Sequence, residues 1–167
     1  MIDFFHKGAS MTKKITGIAK IKGLPKVNPH RAMEYTRIGT FYDEEYMIAS
    51  VLLSVADTDE SRRNGLMGVD SLPDICGMLF EGLSGGGYFW MKDCLIPLDV
   101  AFMNKYGSIT KIYSMPVDKE GKERYEYDDK DVSAVEVPLG FFKDNGIAVG
   151  FELATRNLSS GKEDDNG

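Results

Sequence analysis

Histidine is almost missing from this 167-residue chain: His6 and His30 are the only two, both near the start. The rest of the sequence therefore offers no imidazole for general-base work or for zinc. Cysteine is as scarce. Cys76 and Cys94 lack CxxC spacing and make neither a disulfide framework nor a zinc site. Both flank apolar segments, which favours ordinary buried thiols, although spacing alone leaves their pairing open. No run approaches the roughly 18 apolar residues that a membrane-spanning helix needs. The opening MIDFFHKGASMTKK has an acid at Asp3 and no extended apolar core, so neither a membrane partner nor a secretory signal is expected. The expected location is the cytoplasm, or a macromolecular assembly formed there.

Several catalytic signatures are absent too. GLSGG (Gly82–Gly86) fits the G-x-S-x-G pattern, but a hydrolase of that kind needs a histidine later in the chain, and none follows Ser84. The stretch reads instead as a flexible hairpin loop. No G-K-[ST] follows it to make a phosphate loop, and no GxGxxG is present. Met67, Met78, Met91 and Met103, with the two cysteines, invite a Cu(I) reading. Their spacing of 11 to 13 residues is far wider than dense metal motifs use, so core packing is favoured and no metal or cofactor is expected.

What is present suits one globular domain with extensions: 43% hydrophobic and 11% aromatic residues over a length that can bury a real core. The net charge of −6 hides an asymmetry. Residues 1–40 carry eight Lys/Arg against Asp3 and Glu34, a net of +6, leaving −12 on the remainder. The arm (residues 1–32), with Lys13, Lys14, Lys20, Lys22, Lys26 and Arg31, mixes β-branched residues with Gly17, Gly23, Pro25 and Pro29, and reads as extended chain broken by turns. Such an arm can fold back on the acidic body, grip a neighbouring copy or hold an anionic partner. Nucleic acid is the weakest of these, because the body repels phosphate and the arm lacks interleaved aromatics for stacking.

Along residues 33–155 the pattern predicts many short strands and two short helices. Met33–Asp43 reads as an edge strand and Tyr46–Ala56 as a central one. Asp57 with Glu60 has the acceptor spacing of a capping box, opening a short helix that Gly65 or Gly68 closes. Gly77–Phe80, Gly87–Lys92, Ile96–Met103, Ile109–Pro116, Ser133–Pro138 and Val149–Thr155 follow as strands, with a hairpin turn at Gly107. Val117–Asp131 reads as polar loop and Phe141–Gly146 as a one- or two-turn helix. Residues 156–167 form an acidic, solvated tail. The expected fold is α+β: a compact, mainly antiparallel, barrel-like domain with an extended N-terminal arm.

One stretch stands out. FWMKDCLIPLDVAF (Phe89–Phe102) is largely apolar, yet contains Lys92, Asp93 and Asp99. A charge in such a run needs a partner, a route to water or a task. If Tyr88–Lys92 and Asp99–Met103 were adjacent antiparallel strands, one register would set Lys92 against Asp99 beside Trp90, with Arg63 able to join. That set is either an internal latch or the lining of a small polar pocket including Met91. Glu136, alternating with Val135 and Val137, is expected to face water or the cationic pair.

From about Val51 to Leu153 the chain resembles the family catalogued as domain of unknown function 192. The resemblance rests on VADTDESRRNGLMG, LPDICGMLF, FWMKDCLIPLDVAF and AVEVPLGFFKDNGIAVGFEL, in the family's order and at its spacings. It implies a compact, mainly β domain and supplies no activity. The family's FWMKNT is FWMKDC here, with Asp93 and Cys94 in place of the usual amide and hydroxyl. The segment often rich in Cys, Pro, Ser and Gly is here the charged Val117–Asp131. Many relatives look exported, whereas no leader is visible in this chain. Together these features predict a non-enzymatic binding or assembly module whose basic arm engages a protein partner or a second copy, as in subunits of large assemblies, virus particles included. The alternative is a ligand-binding protein or enzyme with a polar pocket around Arg63, Lys92, Asp99 and Trp90.

Overall fold

The computed structural model describes residues 33–158, so the basic arm and residues 159–167 lie outside the described part. The described chain runs β1 (Arg37–Asp43), β2 (Tyr46–Ala56), α1 (Asp59–Asn64), β3 (Cys76–Glu81), β4 (Gly87–Phe89), β5 (Leu98–Asn104), β6 (Ile109–Met115), β7 (Tyr125–Tyr127), β8 (Asp131–Pro138), α2 (Phe141–Asp144) and β9 (Glu152–Asn157). Seven strands form one sheet in the order β6-β5-β8-β3-β2-β1-β9, and β4 pairs with β7 in a separate ribbon. Pairing is antiparallel except between β2 and β3, which α1 connects. The α+β, mainly antiparallel expectation holds. The sheet does not close into a barrel: its two ends meet only near the bridge Ser108↔Glu152. No described helix is long and apolar enough to cross a membrane.

Alternation along the central strands builds two cores, one on each face of the sheet. Met78, Phe80, Val100, Phe102 and Ala134 point to one side, under Leu66, Met91 and Phe89. Leu79, Ala101, Met103, Val135 and Val137 point to the other, under Phe142 and Ile147. Met78, Met91 and Met103 are thus core packing. Cys76 and Cys94 are both buried and free, in different clusters.

Several local expectations shift. β1 is not an edge strand, because β9 covers its outer side, from Tyr42↔Glu152 to Arg37↔Asn157. The helix cap sits one residue later than expected. Thr58 Oγ1 accepts from Ser61 N at 3.1 Å while Ser61 Oγ accepts from Thr58 N at 2.9 Å, closing the box with two hydroxyls. Asp59 and Glu60 then fall in the first turn, where carboxylates suit the helix dipole. The GLSGG loop is not a hairpin, since β3 pairs with β2 and β8 while β4 pairs with β7. The loop Val117–Asp131 is not all loop: it supplies β7. Gly107 turns the β5–β6 hairpin at φ 81°, and a Cβ there would lie 2.7 Å from the Leu153 carbonyl oxygen.

Candidate functional site

On the Met78–Phe80 face the sheet is not fully covered. α1 and the residues just after it stand on one side, the β4–β7 ribbon on the other, and a cleft of about 460 Å³ opens between them. This size lies within the range of small-molecule sites. Leu66, Phe80, Leu83 and Phe89 give it apolar walls.

At the bottom lies Glu136. It sits on β8, flanked by β3 and β5 (Met78↔Glu136, Val100↔Glu136), and is 4% exposed. Alternation puts it on the cleft side with Ala134, opposite Val135 and Val137. No hydrogen bond or ion pair with any described residue reaches its carboxyl. Burial without compensation disfavours the anion and pushes its pKa up to about 8. The group is thus a neutral acid near pH 7, able to donate one hydrogen bond and accept others. Cys94 lines the same cleft. Burial first, then the charges of Glu136 and Asp93, push its thiol up to about 12, so it is no ready nucleophile.

Four cations surround the cleft, and they are not equivalent. Arg62 is committed to holding the fold: its Nη1 donates to Asp57 O at 2.8 Å and Glu81 O at 2.7 Å, and its Nη2 pairs with Asp59 Oδ1 at 2.5 Å. Arg124 donates to the carbonyls of Gly121 and Glu123 and lies over the rings of Tyr88 (4.7 Å) and Trp90 (5.2 Å). Its loop is shaped by Asp118, which accepts from the N–H groups of Gly121, Lys122 and Glu123; those donors, Glu123 foremost, hold the Asp118 pKa below its usual value. Lys92 stands 5.4 Å from the Trp90 ring. Arg63 lines the cleft and makes no hydrogen bond or ion pair with a described residue.

The residues singled out in the sequence thus scatter. Arg63 and Trp90 line the cleft, Met91 is fully buried in the core beneath it, and Lys92 is exposed beside Trp90. Asp93 is an exposed turn residue at φ 58°, a conformation that suits the amide usual in the family better than a carboxylate. The proposed Lys92–Asp99 register does not occur. β4 ends at Phe89 and pairs with β7, whereas β5 lies between β6 and β8. Asp99 shares the opposite face with Ala101. There, at 2% exposure, its oxygens accept from Ser114 Oγ at 2.8 Å and Gly140 N at 2.9 Å. It is a latch, but one closed by neutral donors between β5, β6 and the approach to α2.

Sequence reasoning misses two residues. Glu136 is expected to face water or a cationic pair, but the stretch of β8 around it is packed on both faces, so its carboxyl meets only the cleft. A usable signal is Ala134, two residues before it and apolar on the same face. Arg124 is hidden in a charged loop, with no periodicity to mark it. Among the described residues no group of three or more His, Cys, Asp or Glu side chains is placed to hold a metal ion.

The same fold occurs in solved structures. One is a Sinorhizobium meliloti 1021 protein provisionally described as a transcription regulator, with TM-score 0.67 and 21% identity over 75% of this chain and 96% of that one. Another is a Novosphingobium aromaticivorans protein of unknown function, with TM-score 0.66 and 21% identity over 80% and 94%. At that identity the likeness concerns the fold alone. No curated protein matches the chain in sequence. The model of the family described as "Uncharacterized ACR", domain of unknown function 192, matches residues 42–155, and the chain belongs to that family.

Proposed function

We propose that this domain is a non-enzymatic small-molecule-binding module whose site is the cleft between α1 and the β4–β7 ribbon. The observation that carries this reading is Glu136. An uncompensated carboxyl on a central strand costs stability that an apolar residue of similar size would spare, and its open side is the cleft. A ligand able to hydrogen-bond there would supply the missing partner. Trp90 is the sole tryptophan and lines the cleft, so its emission reports occupancy. A screen of small metabolites, read by Trp90 fluorescence and by thermal shift, is expected to give hits that Glu136→Leu abolishes. A broad screen with neither quenching nor stabilisation would reject the reading.

The charge asymmetry between residues 1–40 and the rest supports a second role, independent of the cleft. We propose that the basic arm grips a protein partner or a second copy of this chain, as assembly subunits do. Sedimentation of the full chain should show association that salt weakens and deletion of residues 1–32 removes. A full chain that stays monomeric at high concentration, unchanged by the deletion, would end the self-association version.

A further inference from the structure

Resting on the ligand-binding reading, we propose that the cleft selects a small organic anion with one acidic group: that group pairs with Arg63, and the other end presents a carbonyl or hydroxyl oxygen to the Glu136 carboxyl. The argument is one of elimination among the charges around the cleft. Arg62 is consumed by Asp57, Glu81 and Asp59, and Arg124 by two carbonyls and two aromatic rings. Of the two arginines that α1 contributes to the lining, Arg63 alone has its donors unspent among the described residues. A guanidinium with free donors on a partly apolar surface is a fork for carboxylate or phosphate.

The acids do not offset it. Asp59 is paired with Arg62, and Glu136 stays neutral because burial opposes its ionisation. The positive side chains Arg62, Arg63, Lys92 and Arg124 at or beside the cleft therefore face no free carboxylate within it. A cationic ligand would be repelled at the entrance, and would find at the bottom an acid that must first ionise. A neutral ligand would leave Arg63 unused. A small anion with a polar, uncharged far end uses both unspent groups.

The chemistry names a class shared by short carboxylates and phosphate monoesters, and a panel can separate the two. The probes are simple hydroxy- and keto-monocarboxylates, small phosphate monoesters, and size-matched neutral alcohols and primary ammonium compounds. Each is titrated into the full chain at pH 6.5, with Trp90 emission and melting temperature as readouts. Members of one anionic group are expected to bind at least tenfold more tightly than matched ammonium compounds. Arg63→Gln should weaken the anion at least tenfold. Glu136→Gln, which keeps one donor and one acceptor, should hold affinity within a few fold, while Glu136→Leu should lose it. Lys143→Gln, on α2 across the sheet, should change nothing. If ammonium or neutral compounds bind and anions do not, or if Arg63→Gln leaves anion affinity unchanged, this inference is overturned and the ligand-binding reading stands. If no class binds, both fall.

Discussion

Replacing Glu136 with glutamine should remove a pH dependence that the wild-type domain carries in its core. The folded carboxyl has its pKa raised from 4.5 to about 8 by burial. Between those values the folded state holds a proton that the unfolded chain has released, so stability falls as pH rises through the window. The sign is opposite to that of a salt-bridged acid: the domain is least burdened below pH 4.5 and carries the full cost above pH 8. A tenfold difference in proton affinity between the folded and unfolded chain is worth about 1.4 kcal/mol, so the full cost is on the order of 5 kcal/mol and the cost at pH 7 about 3 kcal/mol. Glutamine has the same shape and no charge to bury. The stability difference between variant and wild type should therefore change by roughly 3–4 kcal/mol in the variant's favour from pH 5 to pH 8. For a domain of this size that corresponds to about 10 °C in melting temperature. Thermal melts in matched buffers measure it, and groups common to both proteins cancel in the difference. Parallel profiles would refute the claim that Glu136 is buried and uncompensated.

Further predictions test neighbouring parts of the same structure. Gly77→Ala should destabilise by more than about 2 kcal/mol in urea unfolding, because the added Cβ would sit 2.4 Å from the Glu136 carbonyl oxygen, a backbone atom fixed by β3–β8 pairing. Asp99→Ala should cost about 2–4 kcal/mol by the same measurement, since it leaves Ser114 Oγ and Gly140 N without their acceptor. Native Cys94 should react with a thiol-labelling reagent at pH 8 at least a hundredfold more slowly than in urea, given a pKa pushed up to about 12 and 5% exposure. Equal rates would mean that the cleft wall opens readily.

The elements are more legible in the sequence than their arrangement. Tyr46–Ala56 reads as a central strand because its apolar run is long and β-branched, and β2 occupies those residues in the sheet interior. The β5–β6 hairpin is visible because a glycine turn joins two neighbours in sequence. Non-local pairing leaves no such trace. β8 inserts between β3 and β5 from some thirty residues downstream, and nothing in Tyr88–Met103 announces that the neighbour of β5 comes from there. The Lys92–Asp99 register fails for that reason: it requires that strands adjacent in sequence pair in space. The short strand β7 is concealed because Tyr125–Tyr127 sits among charges, and its aromatic rings pack on Phe89, Phe102 and Tyr113 without any alternating pattern long enough to detect.

Two of the three buried acids of the sheet, Asp99 and Glu136, are held in contrasting ways. Asp99 and Glu136 lie on opposite faces of adjacent strands. Asp99 has a hydroxyl and a backbone N–H aimed at its oxygens, so its burial is satisfied locally and it ties β5 to β6 and to the turn before α2. Glu136 has neither, and the family's usual hydroxyl at position 94, on the same cleft wall, is a thiol in this chain, a far weaker donor. Cys94→Thr should therefore give Glu136 a donor, lower its pKa, and flatten the pH dependence of stability part of the way toward that of Glu136→Gln. Fold maintenance alone would favour an apolar side chain at position 136, as at Val135 and Val137 beside it. On the proposed ligand-binding reading, the carboxyl that costs stability yet opens onto this arginine-rimmed cleft would have its hydrogen bonding completed by the bound molecule.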